Sequence, residues 1–165
     1  MNEDVFNGAM AGFVFFDGFY SEVVEEIGEE KTLSLMDKMG MSLGKMQGKM
    51  LKSQARRDKI RIVTPSIARS LIGSIFAGLG METEIIKDTP EKISLDVKRC
   101  PAYEAGKLMG LADENLCRHS AVKFMDTVVK QLNPNLSYEL KKFRTSSDDC
   151  CREVIVLKKE LLIEN

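Results

Sequence analysis

The sequence contains no tryptophan, a single histidine and no surplus of either charge. Its 24 lysines and arginines are balanced by 25 acidic residues, which leaves a net charge of -1. A chain without a broad basic field does not attract nucleic acid or anionic lipid. Aromatic residues make up only 7% of the chain, so a surface that stacks bases is also disfavoured. We therefore expect neither a nucleic-acid partner nor a membrane partner.

Export and membrane signals are also missing. No apolar run reaches the ~18 residues that a membrane-spanning helix needs. The N-terminus reads MNED and lacks the charged region and apolar core of a signal peptide. A cytoplasmic location is the expectation, and thiols stay reduced there. The four cysteines are therefore interpreted as thiols, metal ligands or nucleophiles rather than as disulfides.

The remaining composition is that of a folded domain. With 165 residues and 44% apolar residues, the chain is long enough to bury a core. No linker and no low-complexity segment interrupts it, so residues 1–165 are predicted to form a single domain. Residues 1–80 form its helical part. Residues 81–165 form a part that contains a hairpin, two helices and a second hairpin.

Helical periodicity dominates the first part. The predicted helices cover residues 3–27, about 29–55 and 65–80. Apolar residues recur every three or four positions in the first helix, and Gly28 follows as a plausible stop. Thr64 is the predicted N-cap of the third helix, with Pro65 at its first position.

The period changes to two in the segment ETEIIKDTPEKISLDVKRC. Ile93, Leu95 and Val97 alternate with polar residues, which is typical of a half-buried strand, and DTPE is the turn of the hairpin. Two helices follow, a short one that opens at Pro101 and a longer one over about 114–132. The second hairpin runs from LSYELKKFR to CCREVIVLKK. We predict an α+β domain in which the helices pack on an antiparallel sheet of about four strands.

Gly40, Gly44 and Gly48 form a stripe without side chains on the second helix. Each glycine costs a helix ~1 kcal/mol relative to alanine, so close approach of another group must compensate. Three interpretations stay open: packing of helices inside the domain, a two-fold dimer contact and the wall of a ligand pocket.

Cys117 and the single histidine, His119, lie two positions apart in the longer helix. At ~100° per residue, such positions point to nearly opposite sides. Cys117 falls on the apolar side with Phe124 and Val128, whereas His119 falls on the polar side with Lys123. His119 is therefore predicted to be exposed and not to act as a catalytic base.

The other cysteines also lie at the starts of elements. Cys100 precedes Pro101 at a junction between strand and helix, and a helix N-terminus lowers the pKa of a thiol. Cys150 and Cys151 begin the last strand and point to opposite faces. We expect Cys100, Cys117 and one of the last two to converge. They could be buried core residues, reactive thiols or metal ligands.

Metal binding is the weaker alternative. The sequence contains no CxxC pair, and a structural zinc site would need a fourth donor beside Cys100, Cys117 and Cys151. No cofactor is required by the other interpretations, and zinc is the possible one. Further polar groups nearby are Tyr103, Glu104, Arg144, Asp148, Asp149 and Glu153.

The segments RCPAYEAGKLMGL, LCRHS and RTSSDDCCREVIVL have the pattern of a known family. Residues 98–157 resemble the L-2-amino-thiazoline-4-carboxylic acid hydrolase-like domains. The cysteine pattern also resembles the vinyl-reductase-associated domains, which share a ligand-binding fold with trafficking-complex subunits and haem nitric-oxide sensors. Asp148 and Cys151 occupy the Asp–x–x–Cys positions, and Cys100 and Cys117 occupy those of the earlier cysteines. The resemblance implies an α+β fold and a homodimer.

Two functions follow as expectations. The first is a hydrolase of a small cyclic amidine-type C–N bond, in which Cys100 or Cys151 is the nucleophile and Glu104 or Asp148 transfers protons. The alternative is a non-catalytic sensor or dimer domain that binds a small molecule or a metal. Tyr103, Cys117 and Arg144 are the expected ligand-binding residues. A third interpretation is a structural dimer whose cysteines only pack.

Overall fold

A computed structural model describes residues 3–158 of the chain. The elements in chain order are α1 (Glu3–Ile27), α2 (Glu29–Arg57), α3 (Pro65–Gly78), β1 (Glu82–Thr89), β2 (Lys92–Arg99), α4 (Pro101–Met109), α5 (Glu114–Cys117), a π-helical turn (Arg118–Val122), α6 (Lys123–Leu132), β3 (Leu136–Lys142) and β4 (Cys151–Leu157). Helices pack on one antiparallel sheet, so the predicted α+β class is confirmed.

The sheet has four strands in the order β1-β2-β4-β3. Every neighbouring pair is antiparallel, and the pairs β1–β2 and β3–β4 are the two predicted hairpins. β4 therefore lies in the middle of the sheet, between β2 and β3. Val97 of β2 pairs with Cys151 at the start of β4, so Cys151 lies beside the end of β2 that leads to Cys100.

The main core lies where α3 and α6 cover the sheet. Ile72 of α3, Val128 of α6 and Ile155 of β4 belong to one cluster, and each is fully buried. Burying an aliphatic side chain of this size stabilises the fold by about 1.5–3 kcal/mol. A smaller cluster at the other end of β4 contains Val97, Leu140 and Cys151.

The caps of the helices agree with the sequence. Gly28 joins α1 to α2 with φ of +84°, a backbone conformation that favours glycine. The Thr64 hydroxyl accepts a hydrogen bond from the backbone N–H of Ile67, and Pro65 follows as the first residue of α3. Gly80 also has a positive φ, and a Cβ there would lie 2.9 Å from the backbone of Phe6.

The glycine stripe of α2 faces α6 inside the domain. A Cβ at Gly44 would lie 2.7 Å from the backbone oxygen of Phe124, and one at Gly48 would lie 2.5 Å from Cβ of Gln131. Gly40 meets the backbone of the π-helical turn in the same way. Helix packing within the domain is therefore the correct interpretation. The stripe is neither a dimer contact nor a pocket wall, because α6 covers it.

The predicted helix over about 114–132 is present but not regular. Residues 118–122 form a π-helical turn between α5 and α6. Such turns insert an extra residue into the helix and occur frequently at functional sites. Here the turn adjoins Cys117, which bears on the site described below.

Among residues 3–158, no helix combines the length and the apolar character needed to cross a lipid bilayer.

Candidate functional site

A cavity of about 130 Å³ lies between the sheet and the surrounding helices. Its wall is mainly apolar and includes seven aromatic side chains: Phe13, Phe16, Phe76, Tyr103, Phe124, Tyr138 and Phe143. The polar or ionisable members of the wall, apart from the two tyrosines, are Asp17, Cys100, Asp113, Cys117, Ser120, Cys151 and Glu153. An apolar pocket with a few polar groups is the usual form of a small-molecule site.

Three of the four cysteines meet in this wall. Cys100 follows β2 and caps α4, Cys117 ends α5, and Cys151 begins β4. Cys100 and Cys117 also pack against the small cluster that contains Cys151. The predicted convergence is therefore observed, and Cys151 rather than Cys150 completes it. His119 lies elsewhere, with its Nδ1 3.1 Å from a carboxylate oxygen of Asp37.

Burial keeps the three thiols protonated at neutral pH. It raises the pKa of Cys100 to about 11, even though backbone N–H groups of α4 act in the opposite direction. The lower pKa expected for a thiol at a helix N-terminus is therefore wrong for Cys100, because loss of water outweighs the helix. Burial also raises the pKa of Cys117 and of Cys151. The side chain of Arg144 partly counteracts the effect at Cys151.

Glu153 is the buried acid next to the thiols. Its side chain lies in the cavity wall, and the hydroxyl of Tyr138 donates a hydrogen bond to its Oε2. Burial raises the pKa of Glu153, while the Tyr138 hydroxyl and Arg144 lower it. Glu153 was predicted only as a polar group near the thiols, without a role. The period of two could have revealed it, since residues 151, 153 and 155 share one face of β4.

Arg144 is buried near the cavity but is not among the residues that line it. The residue is 1% exposed, and its guanidinium carbon lies 4.9 Å from the centre of the Tyr103 ring. Nη2 donates to the backbone oxygen of Val97. Nε and Nη1 have no hydrogen-bond partner among the described residues. A direct ligand contact by Arg144 therefore stays a prediction.

Asp17 brings a second buried acid to the wall, from α1. It is 4% exposed, and its Oδ2 has no hydrogen-bond partner within residues 3–158. Burial raises the pKa of this carboxyl to about 6. Asp17 was not among the predicted site residues. Its position could have indicated it, because it falls four residues after Phe13 and three before Tyr20 on the apolar stripe of α1.

Two predicted proton carriers lie outside the wall of the cavity. Glu104 accepts a hydrogen bond from the Ser147 hydroxyl at 3.2 Å and lies 3.7 Å from Nζ of Lys107. Asp148 is exposed in the turn between β3 and β4. The structure does not bring either carboxylate into the cavity wall, so their catalytic roles stay predictions without support from position.

The thiols do not form a recognisable metal site. Within residues 3–158, no group of three or more His, Cys, Asp or Glu side chains is arranged to hold a metal ion. The zinc alternative with Cys100, Cys117 and Cys151 therefore stays a prediction.

Solved structures with the same arrangement place the fold in a class. The phenol-responsive sensory domain of the transcription activator PoxR, solved with phenol, has a TM-score of 0.64 at 10% identity over 88% of this chain and 74% of that one. Trafficking protein particle complex subunit 3 from Naegleria fowleri, covalently bound to palmitic acid, has a TM-score of 0.57 at 13% identity over 92% and 96%. The chain thus has the fold of these two proteins.

The sequence match is more specific than the fold. The family model of L-2-amino-thiazoline-4-carboxylic acid hydrolase matches residues 8–153. The chain therefore belongs to this family, and the match extends well beyond the segment that carried the resemblance. No curated protein matches the sequence.

Proposed function

We propose that this chain binds one small ring-containing molecule in the cavity. The observation that supports the proposal is a pocket with aromatic walls that also holds buried polar groups. Its volume of about 130 Å³ is close to the ~150 Å³ of an apolar cavity that accommodates benzene in another protein. A single ring with a short substituent therefore matches the available space.

The polar groups of the wall would orient such a molecule. Glu153 can accept a hydrogen bond from a hydroxyl or amino group, and the protonated thiols are weak donors. The PoxR sensory domain was solved with phenol, a single ring with one hydroxyl group. This neighbour shares only the fold, but it supports a small ring as the kind of ligand to test first.

The experiment is a thermal shift measurement with phenol, benzyl alcohol and toluene. A ligand at 100 times its Kd stabilises the folded state by ~2.7 kcal/mol. For a domain of this size, that corresponds to a rise in Tm of roughly 5–10 °C. If none of the three compounds raises the Tm at millimolar concentration, the proposal is wrong.

A pair of variants localises the binding. Cys117→Met puts a larger side chain into the cavity wall, whereas Cys150→Met makes the same change outside it. Only the first should abolish the rise in Tm, provided that both variants retain a cooperative unfolding transition. Equal responses of the two variants would place the ligand somewhere else.

Hydrolysis of a cyclic amidine-type C–N bond is the second candidate, and membership of the family favours it. The net reaction consumes one water molecule: the bond between the amidine carbon and the ring nitrogen breaks, the carbon keeps the water oxygen as a carbonyl, and the two hydrogens of water end on nitrogen, so that the ring nitrogen leaves as an amine. Of the two predicted nucleophiles, Cys151 is the one beside an arginine: burial raises the pKa of its thiol, and Arg144 partly counteracts that rise. Glu153 would supply the proton.

Incubation with 2-amino-thiazoline-4-carboxylic acid tests this candidate, with ring opening followed by mass spectrometry. Cys151→Ala and Cys100→Ala should each be compared with Cys150→Ala, and Glu104→Gln and Asp148→Asn with the parent chain. Turnover that survives alkylation of all thiols would exclude a cysteine nucleophile. Elemental analysis of the untagged protein decides the zinc alternative, since about one zinc per chain would identify the thiols as ligands.

A further inference from the structure

The carboxylate of Asp17 is placed for binding rather than for stability. An unpartnered polar atom in a buried position destabilises the folded protein. The unpartnered carboxylate oxygen of Asp17 lies on α1, where the neighbouring residues of the cavity wall are Phe13 and Phe16. Its Oδ2 is sheltered from water and has no donor among residues 3–158, so a donor brought by a ligand would complete it.

The charges of the wall have one sign. Among the described residues that line the cavity there are three acids and no lysine, arginine or histidine. Two arginines adjoin wall residues without lining the cavity: the guanidinium carbon of Arg69 lies 4.9 Å from the ring centre of Phe76, and that of Arg144 lies 4.9 Å from the ring centre of Tyr103. Arg144 acts on Glu153 and Cys151. Burial raises the pKa of Asp17, and neither arginine lowers it.

We infer that the ligand carries a protonated nitrogen, as an amine or amidine, which pairs with Asp17 while its ring lies among the aromatic side chains. This inference rests on the proposed binding function and specifies the class of ligand. An N–H donor with a positive charge makes a stronger hydrogen bond to a carboxylate than a neutral donor does. The nearby Phe13 and Phe16 would add attraction between the cation and the aromatic rings.

The same wall disfavours a carboxylate ligand. A buried anion needs a cationic or N–H partner, and no lysine, arginine or histidine is among the described residues that line the cavity. A ligand with a carboxylate would also be repelled by the ionised carboxylate of Asp17. The binding preference should therefore follow the order cation, neutral molecule, anion.

Three compounds that differ mainly in charge test this order: benzylamine, benzyl alcohol and benzoate. Calorimetric titration at about pH 7.5 keeps Asp17 ionised, since its pKa is about 6. We expect benzylamine to bind the parent chain about 10-fold or more tightly than benzyl alcohol, and benzoate not to bind. If benzyl alcohol binds as tightly as benzylamine, the inference is wrong and the binding function stands. If none of the three binds, the binding function fails with it.

Variants assign the preference to Asp17. Asp17→Asn should lose the preference for benzylamine and keep its affinity for benzyl alcohol. Asp17→Glu keeps the charge and should retain part of the preference. Glu22→Gln removes one negative charge from the exposed side of the same helix and should behave like the parent chain. A preference that persists in Asp17→Asn would overturn the assignment, and the comparison of ligands on the parent chain holds even if this variant fails to fold.

Discussion

Replacing Asp17 by asparagine should make the stability of the protein less dependent on pH. In the folded state, burial raises the pKa of this carboxyl from 3.8 to about 6. Each pKa unit corresponds to about 1.4 kcal/mol, so ionised Asp17 costs the folded state at most about 3 kcal/mol. Partial hydration of the carboxylate in the cavity would reduce this figure.

The sign follows from the two pKa values. Below 3.8 the carboxyl is neutral in the folded and unfolded states, and its ionisation costs nothing. Above about 6 it is ionised in both states, and the folded state bears the full cost. The parent chain therefore loses this contribution to stability as the pH rises between the two values. Asparagine does not titrate, so the variant gains stability relative to the parent chain over the same interval.

Urea unfolding of both chains at intervals from pH 4 to pH 7.5 measures this difference. The amide of asparagine has its own cost of burial, but that cost is constant with pH, so only the change in the difference matters. We expect the difference to grow by about 1–3 kcal/mol in favour of the variant. The control Glu22→Gln should show a constant difference. A constant difference for Asp17→Asn would mean that the carboxylate is hydrated or paired in solution, and the argument for an unsatisfied acid would fail.

Further predictions concern the helix packing, the thiols and the second buried acid. Gly44→Ala should destabilise the protein toward the upper end of about 1–3 kcal/mol, because the new Cβ would lie 2.7 Å from a backbone oxygen that cannot rotate away. The control Gly8→Ala has nothing within 4 Å of the new Cβ and should stabilise the protein by up to ~1 kcal/mol. Urea unfolding measures both changes. The rate at which iodoacetamide alkylates Cys100, followed by peptide mass spectrometry, should still rise with pH at pH 9, because the pKa of this thiol is about 11. A rate that levels off above the pKa of free cysteine, ~8.5, would show an exposed thiol. Tyr138→Phe should lower the free energy of unfolding by about 1–3 kcal/mol, because it removes the hydrogen-bond donor to Glu153. The double variant with Glu153→Gln should recover part of that loss at pH 8. Equal stability of the single variant and the parent chain would mean that the buried pair is not formed.

The elements of the fold were predictable because local patterns specify them. The helix over residues 3–27, the cap at Thr64 and the alternation of Ile93, Leu95 and Val97 all depend on residues close together in the chain. The glycine stripe also indicated close packing, although the sequence did not reveal that α6 covers it. The π-helical turn was not predictable, since a single extra residue leaves the apolar period of a helix almost unchanged.

The candidate site was predicted only in part, and the reason is distance along the chain. The thiols were found because cysteine is rare in this sequence and each lies at the start or end of an element. Asp17 and Glu153 are 136 positions apart, so no local pattern connects them. Glu153 was predicted only as a polar group near the thiols, and Asp17, which lies among aromatic neighbours on α1, was not predicted at all. The protonation state of Cys100 could not be predicted from the sequence either, because the rise in its pKa comes from burial that only the tertiary structure reveals.

The family and the cavity wall together constrain the chemistry more than either does alone. The acid in the family's name carries a carboxylate beside its cyclic amidine, whereas the wall of this cavity offers two buried acids and no cationic side chain among the described residues. An amidinium group would suit Asp17, whereas the carboxylate would meet no cationic side chain among the described residues that line the cavity. Hydrolysis of that acid by this chain would therefore need a partner for the carboxylate that the charged side chains of the wall do not supply. Binding of a cationic ring needs no such partner, and the order of affinity for benzylamine, benzyl alcohol and benzoate separates these two cases without any knowledge of the natural ligand.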